Sequence, residues 1–378
     1  MPTPTVVEFD AIYSRSPYFV SIDEPLQTTA RLRVWLWNAS DVEPVTTTYL
    51  REKSIASPQI TEISFNLSNL INEYYELNMI NYNFNVTNET NPPEQFVYVK
   101  YELAYRIGAG AYKVIESRYK RAFYGYGYFN EQYNPLLSWI HMTGDADGTS
   151  PTMYYWNPQD SSEWPTIIAV DQDVLHRAGS IRVINTSNLS VRYTNLKTGA
   201  QVSVNIPYQN KVIRIPAVNG TYWNDGNKIE ICVGGVTIKQ WNYIPLTECK
   251  YEVIVCDFIN KFGAWQRTFF YKASRNQIDV KGQEFEFMTP QINYDTDIAV
   301  AKTFNVNSVD TISCNTGWVE ENFSIILKEL LLSETIKING NSAKLLTKKA
   351  EFYKSLNLKM INYKLDFAYA YDTINNIV

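Results

Sequence analysis

The stretch from Cys256 to Lys272, CDFINKFGAWQRTFFYK, constrains the fold of this chain more than any other. Ile254, Val255, Phe258 and Ile259 close an apolar run. Asn260, Lys261, Phe262 and Gly263 supply the turn, and Trp265 to Tyr271 resume a β-rich segment. Asparagine tolerates left-handed backbone and glycine adopts it without steric cost, so Gly263 is expected at positive φ. A strand–turn–strand unit fixes the class as β-rich.

The remaining pattern agrees. In ARLRVWLW (30–37), Leu32, Val34 and Leu36 alternate with Arg31, Arg33, Trp35 and Trp37, a period of two with one face inward. VYVKYELAYRI (97–107) and YKVIESRYKRAFYGY (112–126) read as a hairpin turning at Gly108-Ala109-Gly110. A strand follows those glycines, so they do not open a dinucleotide-binding helix. A short helix is expected over 69–75, capped by Ser68. The strongest helical spacing is Phe323, Ile326, Leu327, Leu330 and Leu331, which predicts a helix over about 318–332 with Glu320 and Glu321 in its first turn.

The expected fold is mainly β, with two or three sandwich or split-barrel domains and one amphipathic helix packed on a C-terminal antiparallel sheet. The divisions expected are an N-terminal sandwich over 1–126, an aromatic-rich irregular segment over 127–179, a central sandwich over 180–285 and a helix-bearing β domain over 286–378.

Composition narrows the chemistry. The net charge is −5 and no basic block occurs, which argues against a nucleic-acid grip. No apolar stretch approaches the roughly 20 residues of a membrane helix, and the start MPTPTVVEFD carries no secretory pattern. The four cysteines, Cys232, Cys249, Cys256 and Cys314, include no C-x-x-C pair, so buried thiols rather than a zinc framework are expected. His141 and His176 flank no nucleophile elbow. Asp145, Asp147 and Gly148 lack the further carboxylates of a calcium loop, and Asp171 and Asp173 suit a charged strand edge. No catalytic residue, cofactor or metal is expected. The 28 tyrosines suit extended interfaces. Tyr154, Tyr155, Trp156 and Trp164 stand out as an interface or glycan-stacking cluster.

Three blocks resemble virion structural proteins of tailed bacteriophages that infect Bacteroidota. They are SRSPYFVSI with ISFNLSNLINEYYE, ECKYEVIVCDFINKFGAWQRTFFYKAS, and DTISCNTGWVEENFSIILKELLLSETIKI with MINYKLDFAYAYD. The resemblance implies a non-enzymatic tail component of a ring, tail tip or baseplate, assembled in the host cytoplasm and resident in the virion. It implies a homo-oligomer, a closed ring with a hexamer as the expected order, contacting other phage tail proteins, with no nucleic acid and no membrane as partner. The alternative expectation is a glycan-binding, host-adhesive β-sandwich protein.

Overall fold

The structure is a computed structural model that describes residues 11–38, 41–55, 61–78, 96–131, 152–157, 179–185, 187–207, 211–247, 250–286, 297, 301–352 and 360–374. It is mainly β, as the alternation predicts, with two α-helices among the described residues. These residues divide into two compact units. One takes those up to Met153, 179–245 and Ile259–Gln266; the other takes 154–157, Leu246–Phe258 and everything from Arg267 onward.

The first unit begins with strands β1 (Ala11–Tyr13), β2 (Phe19–Asp23), β3 (Thr29–Asn38), β4 (Tyr49–Ser54) and β5 (Glu62–Asn66), then helix α1 (Leu67–Asn78), then β6 (Phe96–Arg106) and β7 (Lys113–Phe123). The order β1-β7-β6-β3-β4 makes one sheet, and β2 pairs with β5 in a second. Strand β1 runs parallel to β7. The period of two in β3 sends Leu32, Val34 and Leu36 inward, opposite Leu103, Tyr101 and Val99 of β6. Each such side chain contributes about 1.5–3 kcal/mol by leaving water. The outward side chains pair as well. Arg33 reaches its cross-strand partner Glu102 at 3.4 Å, and Trp37 stacks on its partner Tyr98 at 5.5 Å.

Helix α1 packs Leu67, Leu70, Ile71 and Tyr75 into the same core, and the Tyr75 hydroxyl donates to the Ala122 carbonyl at 2.6 Å. Ser68 lies inside the helix rather than capping it. Its Oγ accepts from the Tyr18 amide and donates to Asn66.

Strand β8 (Thr152–Trp156) precedes β9 (Ser180–Asn185), β10 (Leu189–Asn195), β11 (Gln201–Ile206), β12 (Lys211–Pro216), β13 (Asn227–Val233) and β14 (Val236–Leu246). Here β11, β10, β13 and β14 are consecutive neighbours and β9 pairs with β12. Leu189, Val191 and Tyr193 of β10 are buried with Ile229, Ile231 and Trp241. The Tyr193 hydroxyl donates to the Pro216 carbonyl at 2.8 Å, tying the two sheets together. Turns at Thr198-Gly199 and Gly234-Gly235 fall where the turn chemistry predicts.

The second unit is built on one sheet. Its strands are β15 (Ile254–Ile259), β16 (Trp265–Phe270), β17 (Lys272–Glu286), β18 (Ala301–Glu320), β19 (Ile336–Ile338), β20 (Asn341–Leu345) and β21 (Met360–Tyr369), in the order β16-β15-β19-β20-β21-β18-β17. Cys256 of β15 pairs with Ile338 of β19. This corrects the boundary expected at 285/286, because β15 and β17 belong with C-terminal strands and not with a central sandwich. The expected helix is also shorter. Thr316–Glu320 complete β18, a 3₁₀ turn covers Glu321–Phe323, and helix α2 spans Ser324–Leu331. The reason is Gly317, at φ 73, where a bulge keeps the strand paired with β21 through Glu320. Strand β20 ends at Leu345.

The tip of the opening segment belongs to the first unit. The Asn260 amide donates to the Ala264 carbonyl at 2.9 Å. Its side-chain Oδ1 accepts from the amides of Phe262 at 3.0 Å and Ala264 at 3.1 Å. Gly263 sits at φ 79, and a Cβ there would meet the Tyr124 backbone at 2.8 Å. The facing segment is equally tight: a Cβ on Gly125 would lie 2.6 Å from the Lys261 carbonyl oxygen.

Two outcomes check this account. Gly263→Ala combines left-handed strain with a backbone clash, so its denaturation midpoint should drop by more than the roughly 1 kcal/mol that strain alone costs; an unchanged midpoint would refute the turn geometry. Leu330, fully buried on α2, should not tolerate a charge. Leu330→Asp should lose at least about 3 kcal/mol and express as insoluble or unfolded chain by circular dichroism.

Candidate interaction surface

The groups that look chemically useful in the sequence are occupied by structure. Asp257 and Arg267 face each other across the β15–β16 hairpin and form a bidentate pair, at 2.6 Å from Nε to Oδ1 and 2.8 Å to Oδ2, with both side chains buried. Burial then pushes the neighbouring Cys256 thiol well up, and burial pushes Cys314 up to about 12. Neither supplies a thiolate near neutrality. Cys232 is buried too, and Cys249 lies outside the described residues. Among the described residues no group of three metal-ligating side chains assembles, and no helix is long and apolar enough to cross a membrane.

The aromatic cluster at β8 is placed differently from the expectation of an open stacking face. Tyr155 is 0% exposed and Tyr154 6%. The Tyr154 ring packs edge-on against Phe323 at 5.6 Å, and its hydroxyl oxygen accepts from the Glu320 amide at 2.9 Å. Burial pushes that hydroxyl up to about 12 and also pushes the Tyr271 hydroxyl well up. Trp156 is half-buried, and Trp164 lies outside the described residues, as do His141, Asp145, Asp147, Asp171, Asp173 and His176. Tyr154 therefore serves as an internal contact of the second unit, and Tyr155 is buried. The correction follows from alternation failing here: TMYYW is buried on successive residues, as strands covered on both faces are.

A second buried carboxylate is also a clamp. Glu230 on β13 pairs across the sheet with Arg192 on β10, at 3.0 and 3.2 Å, and takes Lys228 at 3.3 Å. Burial alone would raise the Glu230 carboxyl, but hydrogen bonds from Arg192 and Lys228 outweigh it and hold the group below 4.5.

The feature that the sequence reading missed is a β ribbon. Strand β21 reaches β18 only from Thr311 onward. Beyond that point β17 and β18 form a two-stranded ladder among the described residues, from Ile278↔Asp310 to Glu286↔Ala301, with Asp372–Ile374 hydrogen-bonding to Asn307 and Ser308 near its root. Strand β17 is the last strand of this sheet among the described residues, and no described strand pairs with its outer edge. Both faces of the ribbon meet solvent, leaving Ile278 56%, Val280 64%, Val306 41% and Phe285 39% exposed. Phe285 and Phe304 meet edge-on at 5.4 Å. Lys281–Gln283 opposite Asn305, at φ 51, breaks the ladder with a bulge. The available signal was QIDVKGQEFE (277–286), which alternates charge with single apolar residues and contains no run able to make a core.

No protein-family model matches this chain, and no curated protein does. Among solved structures, Drosophila OTK, extracellular domains 3–5, aligns with 82% of this chain and 90% of that one at 10% identity and a TM-score of 0.21. A likeness at that TM-score carries no argument.

The depressed Glu230 group adds stability above its unfolded pKa and loses it as pH falls through its folded pKa. The wild-type urea midpoint should therefore fall more steeply below about pH 4.5 than that of Glu230→Gln; parallel curves would show that the clamp does not couple to folding.

Proposed function

We propose that this chain is a structural subunit of a bacteriophage tail, in a ring, tail-tip or baseplate assembly, acting through extended protein–protein contacts and not as an enzyme. The observation that carries the proposal is the solvent-exposed β17–β18 ribbon. A two-stranded ribbon is marginal in water by itself, and large apolar side chains on both strands gain stability when another chain covers them. The outer edge of β17, which pairs with no strand among the described residues, offers main-chain donors and acceptors to an incoming strand, a mode that gives affinity without a preformed pocket. The resemblance of the three sequence blocks to tail proteins points the same way. So does the use of Asp257, Arg267, Glu230 and Arg192 in structural clamps rather than at an open cleft.

In a closed ring each subunit presents two different faces, and the ribbon is one of them in this reading. Native mass spectrometry and light scattering of the full chain test it. A discrete oligomer, six copies in the expected case, should form, and I278K/V280K should give a monomer. Its stability should stay within about 0.5 kcal/mol of wild type, as exposed substitutions do. A wild-type chain that stays monomeric and binds none of the proteins of a purified phage tail would overturn the proposal.

A further inference from the structure

At the root of the ribbon, where β17, β18 and β21 still lie side by side, a groove of about 430 Å³ is lined by Asn276, Gln277, Ile278, Asp310, Thr311 and Tyr369. Its size falls within the roughly 300–1,000 Å³ of small-molecule sites. The register explains why these residues meet. Asp310 sits opposite Ile278 on β17 and one step beyond the Thr311↔Ala368 pair with β21, which brings it beside Tyr369. Ile312 and Phe367, two positions further in, are buried core. The groove therefore lies where the core face of the sheet runs out and becomes accessible.

Its chemistry is selective. Tyr369 is held by Tyr371, which stacks on it with centroids 5.6 Å apart and planes 29° apart. Burial, then the nearby Tyr371, Cys314 and Asp310, push the Tyr369 hydroxyl upward, so it remains a neutral donor in ordinary buffers. Asn276, on the same face as Ile278, Asp310 and Tyr369, offers an amide that both donates and accepts, and Asp310 offers a carboxylate that accepts. No lysine or arginine lines the groove, and Asp310 repels anions, so phosphate and sulfated ligands do not fit. One carboxylate falls far short of the six to eight oxygens that calcium takes.

A fixed aromatic wall, an apolar Ile278 and uncharged donors and acceptors around one carboxylate suit a ligand with an apolar face and many hydroxyl groups. We infer that this groove binds a neutral saccharide, with a sugar ring against Tyr369 and its hydroxyls shared between Asn276 and Asp310. The inference is independent of the tail assignment, because a groove on one chain needs no oligomer. It also moves the sugar-binding role from Tyr154 and Tyr155, whose rings are buried, to residues of β17, β18 and β21.

The test is saturation-transfer NMR on the full chain with a set of neutral trisaccharides built from glucose, galactose, mannose or N-acetylglucosamine. At least one should receive saturation. Asp310→Ala and Asn276→Ala should each weaken it by about threefold to tenfold, the loss of one hydrogen bond, and Tyr369→Ala should abolish it. Asn276 is exposed, so its variant folds regardless of what happens to Tyr369→Ala. Tyr371→Ala, which loosens the wall without touching the groove's polar groups, should weaken binding less than Tyr369→Ala. Absence of transfer to every trisaccharide would overturn the inference. So would transfer unchanged in Asn276→Ala and Asp310→Ala, or stronger binding of a sulfated trisaccharide than of its neutral parent.

Discussion

Two glycines permit a close backbone crossing in the first unit. Gly125 lies so near the Lys261 carbonyl, and Gly263 so near the Tyr124 backbone, that neither position has room for a Cβ. The consequence is a backbone crossing secured by hydrogen bonds rather than by side-chain packing. The Tyr126 amide donates to the Lys261 carbonyl at 2.8 Å, and Asn260 satisfies the turn's own amides from within. Because Asn260 is 1% exposed, water cannot take over those contacts. Ile259 and Trp265, on either side of the turn, complete the same apolar core as Leu32, Val34 and Tyr101. That core therefore closes only if a segment more than 130 residues after β7 arrives in the right turn conformation.

The buried charges obey a related logic. Asp257 with Arg267 and Glu230 with Arg192 are each cross-strand partners, so the sheet register that the apolar residues demand also brings the charges into range. Removing one member of such a pair leaves an uncompensated charge and costs several kcal/mol. These pairs penalise slipped registers: a shift of one residue would send Asp257 and Arg267 to different neighbours. In a chain with so many short strands, that discrimination matters as much as the apolar area itself.

Local structure was legible in the residues, and long-range pairing was not. The alternation in β3 and β6, the turn at Gly263 and the apolar side of α2 each express a rule that operates within a dozen residues. The joining of β15 to β19 depends on segments about 80 residues apart, and no local pattern announces it. Gly317 misled because a helix-like spacing begins only six residues later, while a bulge lets the strand continue to Glu320. Tyr154 and Tyr155 misled because aromatic residues in a turn-rich neighbourhood look exposed, whereas burial on both faces is a tertiary fact. The Asn276–Asp310–Tyr369 groove uses three strands from two distant stretches, so it exists only once the sheet is formed.

In the proposed assembly, the exposed ribbon carries a hazard before its partner arrives. A long free edge with valines and isoleucines is a template for indiscriminate pairing. Strand β17 places Arg275, Asp279, Lys281, Glu284 and Glu286 among its apolar residues, and the bulge opposite Asn305 twists the ladder midway. Any incoming strand must match an alternating set of charges and accommodate a kink. Charges and a kink of this kind disfavour edge-to-edge stacking and narrow the set of strands such an edge would admit.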